Sequence, residues 1–381
     1  MMRVEVEIAV PGLDFSGEWR DLTGRAPPNA FMNPAAVAAT RSTGYATTHL
    51  LLARDATPAR TLVGVWALEE KKVSPLGPRF LCATPYFFAF ESSPVIDARY
   101  TAEVARAFLD FLADHPHLPK VIRVKHLDGD AAAAPAIEAA VANRHSMILS
   151  ERPRAFITRD GGSKRSGSTR KKLRQEWNRL SAAGNVDIVN VREPAAVAEA
   201  FETFLVLEKQ SWKGANGTAI LSSVRDGRFT RALVGNLAAE RSASVALLRL
   251  DGKPIAAQVL LYCCRWAYTW KTAFDRAYEK HSPGSLLVDK ITEVLFAAGD
   301  IDAIESCSPD GGFMLSLWPE RRRTLDFLVD LGGRPSPTFM LVAMAVIGYG
   351  EAKAAGSRMR AWLKAARRAT TPAAREAGKP A

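Results

Sequence analysis

Cysteine and histidine are scarce in this chain of 381 residues, which holds four of the first and six of the second. The cysteines are Cys82, Cys263, Cys264 and Cys307, with no C-x-x-C pair and no histidine at a zinc-ligand spacing. The sequence therefore indicates neither a zinc site nor a disulfide framework, and no metal is expected. We expect the four thiols to be small buried hydrophobic groups.

Long apolar runs are also missing. Residues 1–7 alternate apolar and charged side chains, which suits a strand and differs from the unbroken apolar core of a signal peptide. The longest apolar run, residues 339–347, is too short to span a bilayer. Because 48% of the residues are hydrophobic and 24% charged, as in soluble proteins, we expect a cytoplasmic protein.

Acidic residues are outnumbered by basic ones, and the excess is concentrated in two stretches. Residues 164–179 hold seven basic residues and one acid, and residues 351–381 hold eight basic residues and two acids. These stretches account for the whole net charge of +11, so the remainder is nearly neutral. A basic helix and a basic tail suit RNA, an anionic membrane or an anionic substrate equally, and each is also an ordinary solvated face.

The length of the chain favours two domains, and the periodicity of the first part predicts an α/β unit. Apolar spacing predicts helices over residues 33–43 and 101–113. Strands are predicted over residues 48–54, 61–68, 80–90 and 120–124, the first two forming a hairpin. A Gly- and Ser-rich basic stretch, residues 161–168, then predicts a joint between domains.

The second part repeats this order of elements. Helices are predicted over residues 169–182, 194–211, 229–239 and 283–298, and strands over 186–191, 245–250, 254–262, 266–274 and 301–306. In both parts a helix precedes a hairpin, and strand, helix and strand follow, which suggests a degenerate duplication. We predict domains over residues 1–160 and 161–335 and a helical basic tail over residues 336–381.

Residues 268–287 carry the strongest indication of a ligand. A strand ends at Phe274, and Ser282-Pro283-Gly284-Ser285 then opens a helix, with Ser282 as cap and Pro283 at the first helical position. Gly284 has no side chain to keep a phosphate from the free amides of the first turn, and Arg276 and Lys280 add charge. The sequence predicts a pyrophosphate site here; a well-capped helix start is the alternative.

Four motifs of the second part occur together with a fainter pattern in the first part. They are Ser211-Trp212-Lys213-Gly214, Asp251-Gly252-Lys253-Pro254, Trp270-Lys271-Thr272-Ala273-Phe274-Asp275 and Ser282-Pro283-Gly284-Ser285. With these motifs, residues 168–333 resemble the GNAT acetyltransferase domain of the CelD type, which is related to the FemAB peptidyltransferases. Trp19, Leu22, Asn33-Pro34 and Leu62-Val63-Gly64-Val65 extend a weaker resemblance to the first half.

The resemblance implies two tandem GNAT-like domains of the α/β (α+β) class, each a mixed, mainly antiparallel sheet flanked by helices. It implies that acetyl-CoA or another acyl-CoA lies between the strands predicted over 266–274 and 301–306, in the second half only. The cofactor-binding residues are then Thr272, Ala273, Phe274, Arg276, Ser282, Pro283, Gly284, Ser285 and Leu286. The implied chemistry is transfer of an acyl group from the thioester to an amine or hydroxyl, with acetyl as the first candidate for that group.

Direct transfer needs a base, and the sequence offers two candidates. Glu208 shares a helical face with Trp212 near a helix end, and Asp310 lies in a Gly-rich turn after the last strand. An exposed helix glutamate and an ordinary turn aspartate are the alternatives. Relatives of this type often carry an Asp-Phe motif where this chain has Glu305-Ser306-Cys307-Ser308, so the identity of the base stays open.

Aromatic and basic residues of the same motifs are candidates for acceptor binding. We predict a pocket lined by Trp212, Lys213, Trp270, Lys271 and Trp318, because aromatic faces hold sugar rings or acyl chains. Core packing is the alternative for each tryptophan. By resemblance, the acceptor is a small molecule or a glycan of envelope or exopolysaccharide metabolism.

Two other hypotheses come from different classes of function. FemAB relatives use aminoacyl-tRNA, and the basic helix with Trp177 suits RNA phosphates, although the near-neutral remainder of the chain argues against it. A non-catalytic binding protein that keeps only the fold ranks third. The apolar run at 339–347 and the basic tail suggest a peripheral contact with the anionic inner membrane.

Overall fold

The computed structural model describes residues 3–10, 14–161, 167–308 and 313–350. Three sequence-based predictions lie wholly or partly outside these residues: the joint at 161–168, the base candidate Asp310 and the tail from residue 351.

The first half contains seven strands and four α-helices among its described residues. The strands are β1 (Val4–Ile8), β2 (Thr48–Asp55), β3 (Leu62–Lys72), β4 (Arg79–Cys82), β5 (Val95–Ile96), β6 (Val121–Asp128) and β7 (His145–Thr158). The helices are α1 (Ser16–Thr23), α2 (Pro34–Thr43), α3 (Thr101–Asp114) and α4 (Ala133–Val141). Helix α2 begins where the sequence places it, because the Asn33 side chain accepts a hydrogen bond from the Ala35 amide and Pro34 follows.

The second half adds six strands and seven helices in its described part. The strands are β8 (Val186–Val191), β9 (Ala243–Leu250), β10 (Lys253–Cys263), β11 (Trp266–Phe274), β12 (Ala303–Glu305) and β13 (Glu320–Asp330). The helices are α5 (Gly167–Ser181), α6 (Pro194–Gln210), α7 (Trp212–Ala215), α8 (Val224–Ala239), α9 (Pro283–Ala297), α10 (Met314–Leu317) and α11 (residues 337–350).

The thirteen strands of the described residues all belong to one sheet. Their order is β1-β2-β3-β4-β6-β13-β7-β12-β11-β10-β9-β8, and β5 pairs with β3 outside this path. The pairs β4–β6 and β11–β12 are parallel and the other pairs are antiparallel. The predicted fold class, a mixed and mainly antiparallel sheet flanked by helices, is therefore confirmed.

Strands β7 and β13 connect the halves. They pair with each other from His145↔Asp330 to Phe156↔Glu320, β13 pairs with β6 on its other edge, and β7 pairs with β12. The sheet thus runs across the predicted boundary at residue 160, and the division of the chain into domains stays a prediction. Neither strand was predicted, because both are rich in charged and polar residues and show little apolar alternation.

Three large apolar clusters pack on this sheet. One lies under α3 and α4 of the first half, and another lies between α9 and the second half of the sheet. The third contains residues of both halves, among them Phe31, Tyr86 and Phe88 with Phe229 and Trp270. The two halves therefore share a hydrophobic core on the α6 and α8 face of the second half.

The strand predicted over residues 80–90 is the main error in the first half. The strand β4 ends at Cys82, and residues 83–94, here the crossing segment, leave the sheet and enter the core that both halves share. Pro85 and Pro94 lie in this segment, and neither proline can donate a hydrogen bond to a sheet ladder. Cys264 is a smaller error, since this thiol is exposed whereas the other three are buried.

Gly64 on β3 tests the packing of the first half. A Cβ atom there would lie 2.5 Å from Val104 Cγ1 and 3.1 Å from Phe108 Cζ, both on α3. We expect Gly64→Ala to lower the free energy of unfolding by about 1–3 kcal/mol. Urea denaturation measures this, with Gly235→Ala on α8 as the matched control.

The control should shift in the opposite direction. Gly235 is exposed, and apart from its chain neighbours and the backbone of its own helix no described atom lies within 4 Å of a Cβ placed there, so Gly235→Ala should stabilise the helix by about 0.5–1 kcal/mol. A Gly64→Ala variant as stable as the wild type would contradict the close contact between β3 and α3.

Candidate functional site

The strands β11 and β12 separate after a short parallel pairing. Only three residue pairs join them, from Trp266↔Ala303 to Tyr268↔Glu305. Beyond Tyr268 no described strand lies on this edge of β11, and the Thr269 hydroxyl donates to the carbonyls of Glu305 and Ser306 where the strands part. The space between β11 and the chain that follows β12, here the β11–β12 opening, is where the sequence predicts the acyl-CoA.

A β-bulge lies at the narrow end of this opening. Between the pairs Val259↔Lys271 and Leu261↔Tyr268, β10 advances by two residues and β11 by three. Two residues of β11, Thr269 and Trp270, therefore oppose one residue of β10. The extra residue turns the backbone of β11 away from the regular ladder. Nothing in the sequence pattern predicts this bulge, because it depends on the pairing of two strands.

The first turn of α9 lies against β11. A Cβ atom on Gly284 would lie 3.3 Å from Phe274 Cδ1 and 3.6 Å from Thr272 Cγ2. The absence of a side chain at Gly284 therefore lets the helix approach the strand closely. Three of the predicted cofactor-binding residues, Thr272, Phe274 and Gly284, are thus in one place.

Two details predicted for this turn are wrong. Ser282 precedes the helix with φ 52° and makes no capping hydrogen bond through its side chain. The amides of Ser285 and Leu286 are not free, because both donate to the Ser282 carbonyl at 3.0 and 3.1 Å. Among the described residues, only the Gly284 amide of this turn has no hydrogen-bond partner.

The other predicted cofactor residues differ in exposure. Arg276 and Lys280 are exposed on a short 3₁₀ helix that Asp275 caps by accepting from the Ala277 amide at 2.9 Å. They are free to attract an anion. Pro283 begins α9 as predicted, while Pro283, Ala273 and the Leu286 side chain are buried.

Glu208 lies at the end of α6 in a buried polar network. Its side chain is 1% exposed, one oxygen lies 2.9 Å from Lys213 Nζ, and the other accepts from the Ile220 amide at 2.8 Å. Lys213 Nζ also donates to the Thr272 carbonyl at 3.4 Å. The structure therefore brings two sequence candidates together with β11, and both Glu208 oxygens are occupied. Its role as the base stays a prediction.

Lys271 follows the bulge on the face that packs against the crossing segment. Its ammonium lies 4.7 Å from the centre of the Phe88 ring and 5.5 Å from that of Trp270. Burial, together with the nearby positive charge of Lys213, lowers the pKa of Lys271 to about 8. A lysine of this kind is partly neutral near physiological pH and can accept a proton.

The first half contributes Tyr86 to the same face, a residue that the sequence analysis missed. Tyr86 lies in the crossing segment, its ring centre is 5.2 Å from that of Phe229, and its buried hydroxyl has no hydrogen-bond partner among the described residues. Burial raises the pKa of Tyr86, so the hydroxyl keeps its proton at all physiological pH values.

The crossing segment is held on both sides. The Trp270 indole donates to the Phe88 carbonyl at 3.0 Å, and the Arg154 guanidinium on β7 donates to the Phe90 carbonyl at 2.6 Å. Trp270 is therefore a buried residue of the shared core.

Buried charges surround the closed end of the opening. Arg154 lies 3.5 Å from a carboxylate oxygen of Glu305, and burial raises the pKa of Glu305. Glu91 of the crossing segment is also buried, which raises its pKa to about 7. Glu305 stands where relatives often carry an Asp-Phe motif, and here it belongs to this network.

The three tryptophans predicted for the acceptor pocket are not together. Trp212 on α7 is 54% exposed, Trp270 belongs to the core shared by both halves, and Trp318 is buried in the cluster under α9. Sequence spacing does not show on which face of the sheet a side chain lies. Acceptor binding by any of them stays a prediction.

Within the described residues, no group of three or more His, Cys, Asp or Glu side chains is placed to hold a metal ion. In the same residues, no helix is long and apolar enough to cross a membrane.

Comparison with known proteins finds a family match in the second half. Residues 167–310 match the family model described as an acetyltransferase (GNAT) domain, which covers less than half of the chain. The match includes α9, β11 and β12, so the GNAT part of the sequence-based resemblance is confirmed, and its CelD type stays a prediction. A search of the curated proteins finds no match.

Solved structures share the fold across most of the chain. FemX has a TM-score of 0.61 at 12% identity, over 89% of this chain and 100% of its own. The C-terminal domain of a protein described as a lysylphosphatidylglycerol synthetase from Agrobacterium fabrum has a TM-score of 0.55 at 14% identity, over 87% and 95%. L-PGS from Bacillus licheniformis has a TM-score of 0.52 at 14% identity, over 87% and 97%. These identities show a common fold only.

A double-mutant cycle tests the buried pair. We expect Glu208→Gln and Lys213→Met to be coupled by about 1–3 kcal/mol, because each change leaves the other group without its charged partner. Urea denaturation of the wild type, both single variants and the double variant gives the coupling. Additive effects would show that the pair does not hold α6 to α7. The exposed pair Arg231 and Glu202 is the control and should couple by less than about 1 kcal/mol.

Proposed function

We propose that this protein is a cytoplasmic acyltransferase that moves an acyl group from acyl-CoA to an amine or hydroxyl acceptor. One observation supports the proposal. The segment that matches the GNAT acetyltransferase model contains both the β11–β12 opening and the glycine turn that lies against β11. A strand edge that no described strand covers, beside a helix start with one free amide, suits a long thioester with a pyrophosphate.

The residues of the turn fit this cosubstrate. Gly284 brings the start of α9 into close contact with Thr272 and Phe274, and its amide has no hydrogen-bond partner within the described part of the chain. Arg276 and Lys280 are exposed next to the positive end of α9. In this proposal they bind the phosphates, and the free edge of β11 from Thr269 onward pairs with the amide groups of the pantetheine arm.

Lys271 is the base in this proposal. The acceptor nitrogen or oxygen attacks the thioester carbon, a new bond forms to that carbon, and the carbon–sulfur bond breaks as free CoA leaves. Neutral Lys271 takes the proton that the acceptor loses, since its lowered pKa suits proton transfer near neutral pH. Glu208 then positions Lys213 beside β11 and is not itself the base.

Tyr86 is the proton donor to the leaving thiolate in this proposal, and the proton that Lys271 took from the acceptor then restores the Tyr86 hydroxyl. Its buried hydroxyl is protonated, has no partner among the described residues and lies in the core that the crossing segment shares with β11. Because Tyr86 belongs to the crossing segment, the first half supplies part of the reaction centre in this proposal. A more specific form of the proposal is acetyl transfer to a glycan or small molecule of envelope or exopolysaccharide metabolism. This form rests on the family resemblance alone.

Transfer from aminoacyl-tRNA is the second candidate function. Arg170, Lys171 and Arg174 are exposed on α5, and with α9 this helix borders a groove of about 880 Å³. Lys290 of α9 lies 5.5 Å from the ring centre of Trp177 in the same groove. A basic groove with an aromatic ring suits a nucleic acid. The FemX fold agrees with this candidate without distinguishing it from the first.

The first test is binding of CoA, acetyl-CoA and longer acyl-CoAs by calorimetry and thermal shift. We expect micromolar to millimolar binding by the wild type and at least a tenfold loss in Gly284→Glu, because a side chain there displaces the turn from Phe274 and its carboxylate repels phosphate. Gly235→Glu adds the same charge on α8, far from the turn in sequence, and should bind like the wild type.

The two candidates give different results in this experiment. No binding at millimolar CoA, combined with a strongly salt-dependent affinity for aminoacyl-tRNA, would reject the first and favour the second. Equal CoA binding by both glutamate variants would show that the phosphates lie elsewhere.

The pH dependence tests Lys271. Because only the neutral amine accepts a proton, kcat/KM for CoA release should fall about tenfold per pH unit below about 8 and level off above it. Lys271→Met should lose this dependence along with most of the activity. Lys209→Met, on the exposed surface of α6, is the control and should keep the wild-type profile. A Lys271→Met variant with an unchanged profile would exclude this lysine as the base.

A further inference from the structure

Helix α11 is firmly attached to the sheet through one face. Phe339, Val342 and Ala343 are buried together with Phe80, Val121 and Leu328 in a separate apolar cluster. The start of the helix is held by Ser336, whose hydroxyl accepts from the Phe339 amide at 3.2 Å and whose own amide donates to buried Asp330 at 2.8 Å. The orientation of α11 is therefore defined by packing and capping.

The opposite face of α11 is apolar and exposed. Met340, Leu341, Met344 and Ile347, here the apolar ridge, are 42–58% exposed and lie at a spacing that places them on one side of a helix. No charged residue occurs between Arg334 and Glu351. A contiguous apolar surface of this kind is unusual on a monomeric protein and marks an interaction site.

The turn between β3 and β4 lies near α11. Val73 packs against the cluster that holds α11, and Leu76 at the tip of the turn is fully exposed. Lys72 is exposed before this turn, and Arg79 after it is exposed and lies 3.2 Å from a carboxylate oxygen of Glu70. An exposed leucine between basic residues is expected where a protein meets an anionic lipid surface.

The charge of the chain indicates which partner covers the ridge. Residues 351–381 directly follow α11 and hold eight basic residues against two acids. Apolar side chains that insert next to a basic segment bind anionic bilayers, because burial of the apolar groups adds to attraction by the head groups. A second copy of this chain would bring like charges together. We infer that the apolar ridge of α11 is a docking surface for an anionic lipid bilayer, which would keep the transferase site beside membrane-associated acceptors.

The test is co-sedimentation of the full chain with vesicles of phosphatidylcholine alone or with one quarter phosphatidylglycerol. We expect binding only to the anionic vesicles and weaker binding at higher salt. Ile347→Glu should lower the partition coefficient roughly tenfold, because it places a charge in the apolar contact. Val294→Glu on α9 is the matched control, since Val294 is 47% exposed and Ile347 46%, and it should bind like the wild type.

Folding is checked by melting of both variants, which should match the wild type because both side chains point to solvent. Wild-type protein that fails to sediment with anionic vesicles would overturn the proposal. So would unchanged binding by Ile347→Glu. A dimer in light scattering that Ile347→Glu converts to a monomer, without any vesicle binding, would instead assign the ridge to a second copy. CoA binding is independent of this outcome, so failure here leaves the proposed transferase function untouched.

Discussion

Strands β7 and β13 run side by side over eleven residue pairs, and each is bonded on its other edge to a different half of the sheet. β13 completes the first half by pairing with β6, and β7 supports the second half by pairing with β12. Since backbone groups buried within a sheet must be paired, loss of this contact would leave both halves with an open edge. The continuous sheet depends on it.

The candidate site depends on the same junction. Arg154 of β7 holds the Phe90 carbonyl, Trp270 of β11 holds the Phe88 carbonyl, and these two contacts fix the path of the crossing segment. This path brings Tyr86 of the first half to the face of the second half that carries Lys271. The first half therefore has a structural part in the site whether or not it binds a ligand of its own.

Much of the second half could be predicted from the sequence. The limits of β8 and β11 and the start of α9 agree with the periodicity, because apolar alternation and the Ser-Pro start are local signals. Strands β7 and β13 could not be found in this way, since ion pairs such as Arg322 with Asp128 compensate their polar side chains across the sheet. The occupied oxygens of Glu208 and the desolvation of Lys271 are also tertiary effects, which no spacing rule contains.

The pairing of β6 with β13 also limits when the protein can fold. About two hundred residues separate the two strands, so the sheet of the first half stays open on one edge until residue 330 has left the ribosome. Contacts of such long sequence separation are slow to form. The first half, although it is made first, therefore keeps the edge of β6 unpaired by β13 while the second half is synthesised.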